Sequence, residues 1–297
     1  MGSGGFTGVS WRGKRLLEKG AMRVESEQQQ AIVELFVKAC EKDKRVVAAF
    51  LGGSFAAGKA DEWSDLDIYV VTTDEDYASF FDDRQAFMHG LGKAAYLEDF
   101  NGFGFDMVWF TFANGVEGEL SLAPESHFDH IHGGPYVSLV DKTGLLIGKI
   151  FPLYAPTEEE QLWTLHKQIY GFWEALSHFI AAIHRKQPWT AYGSLDEMRM
   201  ACLKLLRLKH DFTAEPTAYS KAEQYVPKGK LAPLAASCCD LEPQAMLEAA
   251  LVPVQEYKRV CPELAAKHGI AYPTDLEGVL LDRLEVLRHT FPHGREA

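Results

Sequence analysis

Short apolar runs separated by polar and glycine-rich segments fill the first half of the chain. The runs at 46–51 and 66–72 are rich in aliphatic residues, which is typical of buried strands. Another apolar run at 105–112 precedes Asn114-Gly115, a dipeptide that strongly favours a hairpin turn. Residues 116–122 are therefore predicted to return as the partner strand.

Helical periodicity marks two other segments of this half. Within 25–43, apolar positions recur at close to the helical period of about 3.6 residues, which predicts a helix. Residues 74–88 begin with acidic side chains, which favour a helix N-terminus, so a second helix is predicted there. Strands mixed with helices in this way predict a mixed sheet with flanking helices.

The pattern becomes almost wholly helical after about residue 156. Thr157 precedes three glutamates, a combination typical of a helix cap and first turn, and apolar residues continue from there at helical spacing. Further helices are predicted near 196–209, 243–259 and 275–290. This half of the chain is therefore expected to be a helical bundle.

These patterns predict an α+β protein in three parts. Residues 1–22 are rich in Gly and basic residues and are expected to be a loose tail, with Met22 as an alternative start. The sheet domain is expected at 23–155, and the helical bundle, which we expect to bind substrate, at 156–297.

Composition narrows the possible partners. The net charge of −12 argues against nucleic acid as the main partner and suits a cationic substrate. No apolar run reaches the roughly 20 residues of a membrane span, and no secretory signal is recognisable, so no membrane partner is expected. The five cysteines lack the spacing of a disulfide framework, which favours a reducing, cytoplasmic location.

The candidate chemistry lies in the segment that joins the first two predicted strands. Gly52 and Gly53 allow the backbone to approach a ligand closely, and Ser54 offers an N–H and a hydroxyl to a phosphate oxygen. Asp65 and Asp67 are two positions apart at the start of a strand, so their like charges face the same side. A shared divalent cation would offset this repulsion, and oxygen ligands favour Mg²⁺.

This pattern resembles the nucleotidyltransferase superfamily of the DNA polymerase β type. Gly53-Ser54, about a dozen residues, and then Ser64-Asp65-Leu66-Asp67 match the superfamily motif. The superfamily also has a third carboxylate on a neighbouring strand. Glu119, in the segment FANGVEGELSLAP, matches that position in the streptomycin 6-adenylyltransferase subgroup of aminoglycoside nucleotidyltransferases, and lincosamide nucleotidyltransferases are also similar.

Two departures from the superfamily leave alternatives open. The third position holds Glu instead of the usual Asp, so Glu119 is expected to be a metal ligand, a general base, or both. Glu117 lies on the same strand face and is the second candidate. Lys59 occupies a loop in which many relatives carry Arg, and it either neutralises a triphosphate or is a solvated lysine.

The resemblance implies a polymerase β-like nucleotidyltransferase domain that transfers AMP from ATP to a hydroxyl of a small cationic acceptor, with release of pyrophosphate. It implies two Mg²⁺ ions on Asp65, Asp67 and Glu119. The implied nucleotide-binding residues are Gly53, Ser54, Lys59 and Ser64. The expected acceptor is an aminoglycoside-type antibiotic, and the protein is expected to be a monomer or homodimer. The alternatives are a protein adenylyltransferase of the antitoxin type and a catalytically silent nucleotide-binding regulator.

Several other residues are candidates for additional site groups. Three histidines in the segment SHFDHIHGG, His127, His130 and His132, have no recognised metal-site spacing, and any one of them could instead contact nucleotide or acceptor. Asp141-Lys142 is interpreted as a turn rather than as a phosphate contact. In the helical half, the pairs Glu174/His178 and Lys204/Arg207 are either site groups or solvated side chains.

Overall fold

The computed structural model describes residues 26–215 and 217–291. The chain forms two compact units that divide between Tyr154 and Ala155. The predicted loose tail at 1–22, and with it Met22, lies outside the described residues. No helix within the described ranges has both the length and the apolar character needed to cross a membrane.

A six-stranded mixed sheet forms the centre of the first unit. The strand order is β3-β4-β5-β2-β1-β6, in which β2 and β5 are parallel and the other neighbours are antiparallel. In chain order the strands are β1 (Val46–Leu51), β2 (Leu66–Thr72), β3 (Ala94–Phe100), β4 (Asp106–Phe112), β5 (Glu117–Pro124) and β6 (Val137–Asp141). The predicted α+β class and mixed sheet are confirmed.

The strands that the sequence predicts are present at nearly the predicted bounds. Every residue of β1 is buried, as its uninterrupted apolar run indicates. The hairpin joining β4 and β5 is also confirmed, and its turn contains a bond from the N–H of Gly115 to the carbonyl of Phe112 at 2.9 Å. The edge strands β3 and β6 were not predicted. No residue of β3 is buried, and an exposed edge strand does not need the apolar run that marks the central strands, so the sequence gives no signal for it.

Among the described residues of this unit, three α-helices accompany the sheet: α1 (Glu27–Lys42), α2 (Gly53–Ala56) and α3 (Tyr77–Leu91). Helix α1 starts with a capping box in which the Gln29 N–H donates to Ser26 Oγ at 3.1 Å. Helix α3 begins three residues later than predicted, and the predicted acidic first turn is wrong. The reason is a turn in which the Asp76 N–H donates to Thr73 Oγ1 at 3.0 Å, so the acidic residues precede the helix.

The two faces of the sheet are covered differently. Helices α1 and α3 pack on one face, where their side chains join the alternate apolar residues of β2, β4 and β5 in one core. On the other face, Phe50 and Val71 pack against Phe128 and Phe151 from the segment that follows β5. This second cluster covers only part of its face, because the end of β2 that carries Asp67 contributes acidic side chains there instead of apolar ones.

Helices make up the second unit. The predicted start at Thr157 is confirmed, because the N–H of Glu160 donates to Thr157 Oγ1 at 3.2 Å in a capping box. At the centre of the core, the rings of Phe172 and Tyr257 stack at 4.0 Å. The helices are α4 (Glu158–His184), α5 (Pro188–His210), α6 (Ala222–Tyr225), α7 (Lys228–Ala235), α8 (Pro243–Lys267) and α9 (Thr274–Thr290).

Candidate active site

The turn after β1 brings the backbone of Gly53 against the side chain of Asp67. Gly53 has a φ of 53°, a conformation that favours glycine. A Cβ atom on Gly53 would lie 1.6 Å from Asp67 Oδ2, so no other residue fits without a shift of that carboxylate. The N–H of Gly52 donates to the carbonyl of Asp67 at 2.9 Å and fixes the turn to the start of β2. The two parts of the motif, distant in sequence, are therefore in direct contact.

Sheet topology adds the third carboxylate. Asp67 is the second residue of β2, and Asp65 directly precedes that strand. Glu119 lies beside Asp67 in the register of the parallel pair β2 and β5. The structure therefore brings Asp65, Asp67 and Glu119 to one end of two adjacent central strands. Glu117, the second candidate, is exposed at the very start of β5.

Without a bound cation, the carboxylates of this cluster repel one another. Burial, then Asp65, then Glu119 raise the pKa of Asp67 from 3.8 to about 7. Burial and Asp65 likewise raise the pKa of Glu119, which the indole N–H of Trp109 lowers in part. No Lys or Arg among the described residues acts on either group. The cluster therefore concentrates negative charge that the described protein does not neutralise.

This donor set fits a divalent cation in its chemistry. Carboxylate oxygens are the ligands that Mg²⁺ prefers, and a cation would offset the repulsion that raises the pKa of Asp67. Among the described residues, no three His, Cys, Asp or Glu side chains already converge on one point as a formed metal site does. Asp65, Asp67 and Glu119 are the residues that could hold the ion.

The surroundings of Ser54, Ser64 and Lys59, which are predicted to bind nucleotide, differ from one residue to the next. Ser54 Oγ is shielded from solvent and has no hydrogen-bond partner among the described residues, so a polar ligand could satisfy it. Ser64 Oγ accepts from the N–H of Asp61 at 2.8 Å, so its hydroxyl closes the turn before Asp65. Lys59 is exposed in the loop between the two parts of the motif.

Two aromatic residues that the sequence analysis does not single out, Tyr69 and Trp109, lie beside the carboxylates. Tyr69 stacks on Phe50 at 4.5 Å, and burial followed by Asp67 raises its pKa. Trp109 is opposite Glu119 in the antiparallel pair β4 and β5. Position i+2 from Asp67 could have indicated Tyr69, because alternate residues of a strand share a face. Predicting that Trp109 lies beside Glu119 requires the register of the β4–β5 hairpin, which the sequence does not give.

The three histidines do not form a cluster. His132 lies over the Gly52 backbone, where its Cε1 would be 2.7 Å from a Cβ on that glycine. His127 contacts Ser126 Oγ through Nδ1 at 2.7 Å, and His130 is exposed. Only His132 therefore lies next to the glycine turn.

Asp141 and Lys142 form the turn that the sequence predicts. Asp141 accepts hydrogen bonds from the N–H groups of Gly144 and Leu146 at 2.8 and 3.1 Å. Lys142 Nζ donates to the carbonyls of Cys40 and Asp43 at the end of α1, at 2.8 and 2.6 Å. Both side chains therefore stabilise local structure.

In the second unit, the candidate residues Glu174, His178, Lys204 and Arg207 have two kinds of surroundings. Glu174, His178 and Lys204 line a groove of about 370 Å³ between α4 and α5. Arg207 is buried instead, with its guanidinium 4.0 Å above the ring of Tyr225, so the alternative that it is a solvated side chain is wrong.

Comparison with models of known protein families identifies one family that this chain matches. The model of the family described as streptomycin adenylyltransferase matches residues 22–281, which includes both parts of the motif, Glu119 and most of the helical half. No curated protein sequence matches the chain.

Several solved structures are similar to this one. An aminoglycoside 6-adenyltransferase from Bacillus subtilis is 17% identical with a TM-score of 0.41, over 89% of this chain and 99% of that chain. A nucleotidyltransferase-like protein from Exiguobacterium sibiricum 255-15 is 12% identical with a TM-score of 0.34, over 77% of this chain and 74% of that chain. Cid1 in complex with the UTP analog UMPNPP is 13% identical with a TM-score of 0.27, over 70% of this chain and 56% of that chain.

Proposed function

We propose that this protein transfers AMP from ATP to a hydroxyl group of an aminoglycoside-type acceptor. The chain belongs to the streptomycin adenylyltransferase family and is a nucleotidyltransferase. The family match also confirms the resemblance that the motif predicts. The observation that supports the reaction is the trio Asp65, Asp67 and Glu119, whose negative charge no described cation offsets, in contact with the glycine turn.

In the proposed reaction, the triphosphate lies against the backbone of Gly53 and Ser54, where Ser54 Oγ can donate to a phosphate oxygen. Asp65 and Asp67 would hold divalent cations, with Glu119 as a further ligand. Such ions would neutralise phosphate charge and help to align the attacking and leaving oxygens. The contact between Asp67 and Gly53 therefore links nucleotide position to the carboxylates.

Glu119 is proposed to accept the proton of the acceptor hydroxyl, since burial and Asp65 raise its affinity for a proton. The hydroxyl oxygen attacks the α-phosphorus, the bond from that phosphorus to the bridging oxygen breaks, and pyrophosphate leaves. Most of the rate enhancement would come from positioning and from neutralised charge.

The acceptor class is supported by the family and by charge. An acidic protein attracts a polycationic acceptor, and the net charge here is −12. We place the reaction in the cytoplasm, which the five free cysteines support, three of them buried.

The test is pyrophosphate release from ATP and Mg²⁺ with streptomycin, other aminoglycosides and lincosamides as acceptors, with Asp67→Ala alongside. We expect release that depends on one acceptor, a product heavier by one AMP group, and no release by the variant. Replacing ATP with the other nucleoside triphosphates tests the transferred group. Nucleotide binding without turnover on any small acceptor would overturn the proposed acceptor class and favour a protein target.

A further inference from the structure

The indole of Trp109 is held directly beside Glu119. The two residues are opposite each other in the antiparallel register of β4 and β5. The Trp109 ring also stacks on Phe100 from β3, with centroids 4.6 Å apart and planes 17° apart. Two neighbouring strands therefore fix the position of this ring, and the stack leaves little freedom for the ring to turn away.

The polar atom of this ring has no well-formed hydrogen bond. Trp109 Nε1 is shielded from solvent and makes no hydrogen bond of normal geometry with any described residue, although it lies close enough to Glu119 to lower the pKa of that carboxyl. A buried donor without an acceptor costs free energy, so native structures seldom retain one without a reason. A small movement of the Glu119 carboxylate would bring the two groups into normal hydrogen-bond geometry.

Another buried indole provides a comparison. Trp173 Nε1 in the second unit also lacks a hydrogen bond of normal geometry, although it interacts with the Tyr257 hydroxyl. Its ring lies edge-on to Phe172 and Tyr257, within the apolar core of that unit. Trp173 is therefore explained by packing, whereas Trp109 faces one of the three carboxylates.

We propose that Trp109 is a positioning residue, whose indole N–H donates a hydrogen bond to the Glu119 carboxylate when nucleotide and acceptor are bound. This inference rests on the proposed function, because it gives Glu119 a defined orientation toward the acceptor hydroxyl. The bond leaves the second carboxylate oxygen of Glu119 free to accept the proton of that hydroxyl. Trp109 touches neither substrate and acts through Glu119.

The hydrogen bond can be detected without turnover. The six Trp indole N–H groups of the protein give separate resonances in a ¹⁵N-labelled NMR spectrum, and Trp109→Phe identifies the one in question. With Mg²⁺, a non-hydrolysable ATP analogue and the acceptor, we expect this resonance to move downfield in the wild type. It should not move in Glu119→Ala. A resonance that responds equally in both proteins would overturn the proposal.

Kinetics provide the second measurement. Trp109→Phe retains a ring to stack on Phe100 and loses only the donor, so we expect kcat to fall about tenfold to a hundredfold, as for a misplaced reacting group. The KM for ATP should change little. The matched control is Trp173→Phe, which removes the other buried indole N–H without a normal hydrogen bond and should leave kcat unchanged.

A double-mutant cycle separates positioning from packing. If Trp109 acts through Glu119, adding Trp109→Phe to Glu119→Ala should cause no further loss of kcat. Independent losses in the two variants, or a Trp109→Phe enzyme as fast as the wild type, would overturn the inference and leave the proposed function intact. Failure of the proposed function would be seen separately, as absence of pyrophosphate release by the wild type. If Trp109→Phe does not fold, the Trp109 resonance is assigned by triple-resonance NMR of the wild type, and the comparison with Glu119→Ala still decides.

Discussion

The buried charges of the helical unit and the carboxylate cluster of the sheet unit have opposite surroundings, although the sheet unit pairs other charges, such as Arg84 with Asp99. In the helical unit, the buried Arg199 donates to Ser237 Oγ at 2.8 Å and forms an ion pair with Asp196. The buried Glu256 likewise accepts a hydrogen bond from Arg259 Nε at 2.9 Å. In the sheet unit, burial and like charges raise the pKa of Asp67 and of Glu119, and no described cation offsets them.

This difference distinguishes structural charge from functional charge. A fold selected for stability alone would pair or remove the carboxylates at the end of β2 and β5. Unfavourable groups that persist beside a glycine turn are typical of sites that bind a charged ligand. Separate substitutions can alter each side of this contrast.

The largest expected effect is that of Asp67→Asn. This change removes a metal ligand, so kcat/KM should fall about a thousandfold or more. It also removes a buried charge, so the melting temperature without divalent cation should rise. Steady-state kinetics and calorimetry on the same preparation measure both effects. A variant that is both less active and less stable would contradict the contrast.

The matched change in the helical unit is Asp196→Asn. It leaves the guanidinium of Arg199, whose side chain is 9% exposed, without its carboxylate partner. We expect a loss of about 1–3 kcal/mol in the free energy of unfolding, since a buried group loses its partner. Activity below the melting transition should be near that of the wild type.

Gly53→Ala should have the next largest effect. The new methyl group would lie 1.6 Å from Asp67 Oδ2, which forces the carboxylate away from the glycine turn. We expect kcat/KM to fall about a hundredfold, as for a small misplacement in an active site. Gly58→Ala is the control, because Gly58 also has a positive φ, 66°, but its Cβ would have nothing within 4 Å. Equal losses in both variants would point to backbone strain instead of the contact with Asp67.

A smaller effect is expected in the pH dependence of stability. The pKa of Asp67 is about 7 in the folded protein, against 3.8 for an unperturbed group. Between these values the folded state binds a proton that the unfolded state has released, so stability falls as pH rises. The slope from this one group is at most about 1.4 kcal/mol per pH unit. Denaturant unfolding of Asp67→Asn at pH 4 to 7, without divalent cation, should lack this contribution; an identical slope would show that Asp67 titrates in its ordinary range.

The smallest expected effect distinguishes the two glutamates of β5. Glu117 is exposed, and it does not contribute to the raised pKa of Asp67, whereas Glu119 does. We expect Glu117→Gln to change kcat by less than about threefold, within the range of a minor surface charge. Glu119→Gln should reduce kcat far more. If the order is reversed, Glu117 is the third carboxylate.

Local sequence patterns are sufficient for much of the fold. The bounds of β1 and β2 are those of their apolar runs, and the capping box at Thr157 starts α4 where a threonine precedes three glutamates. The exposed edge strand β3 shows no such run, and the start of α3 depends on a side-chain turn at Thr73. Elements with their own apolar pattern were therefore predictable, and those defined by tertiary packing or a local turn were not.

The site was predictable only as far as the motif reaches. Asp65, Asp67 and Glu119 could be named, but the parallel pairing that places Asp67 beside Glu119 joins strands distant in sequence. The partner of Glu119 on β4 depends on the length of the hairpin loop. The N–H of Phe112 donates to the carbonyl of Val116, which leaves a three-residue loop. A two-residue loop would shift the register by one and place Trp109 on the opposite face.

The most direct test of the central claim is a calorimetric titration of ATP into the wild type and Asp67→Asn, each with Mg²⁺ and with EDTA. If the carboxylates of the sheet unit are unpaired because they bind a metal-bound nucleotide, the wild type should bind ATP with Mg²⁺ and lose at least about tenfold in affinity in EDTA, a difference of about 1.4 kcal/mol. Asp67→Asn should bind equally weakly under both conditions. Equal ATP affinity with Mg²⁺ and with EDTA in the wild type would contradict the account.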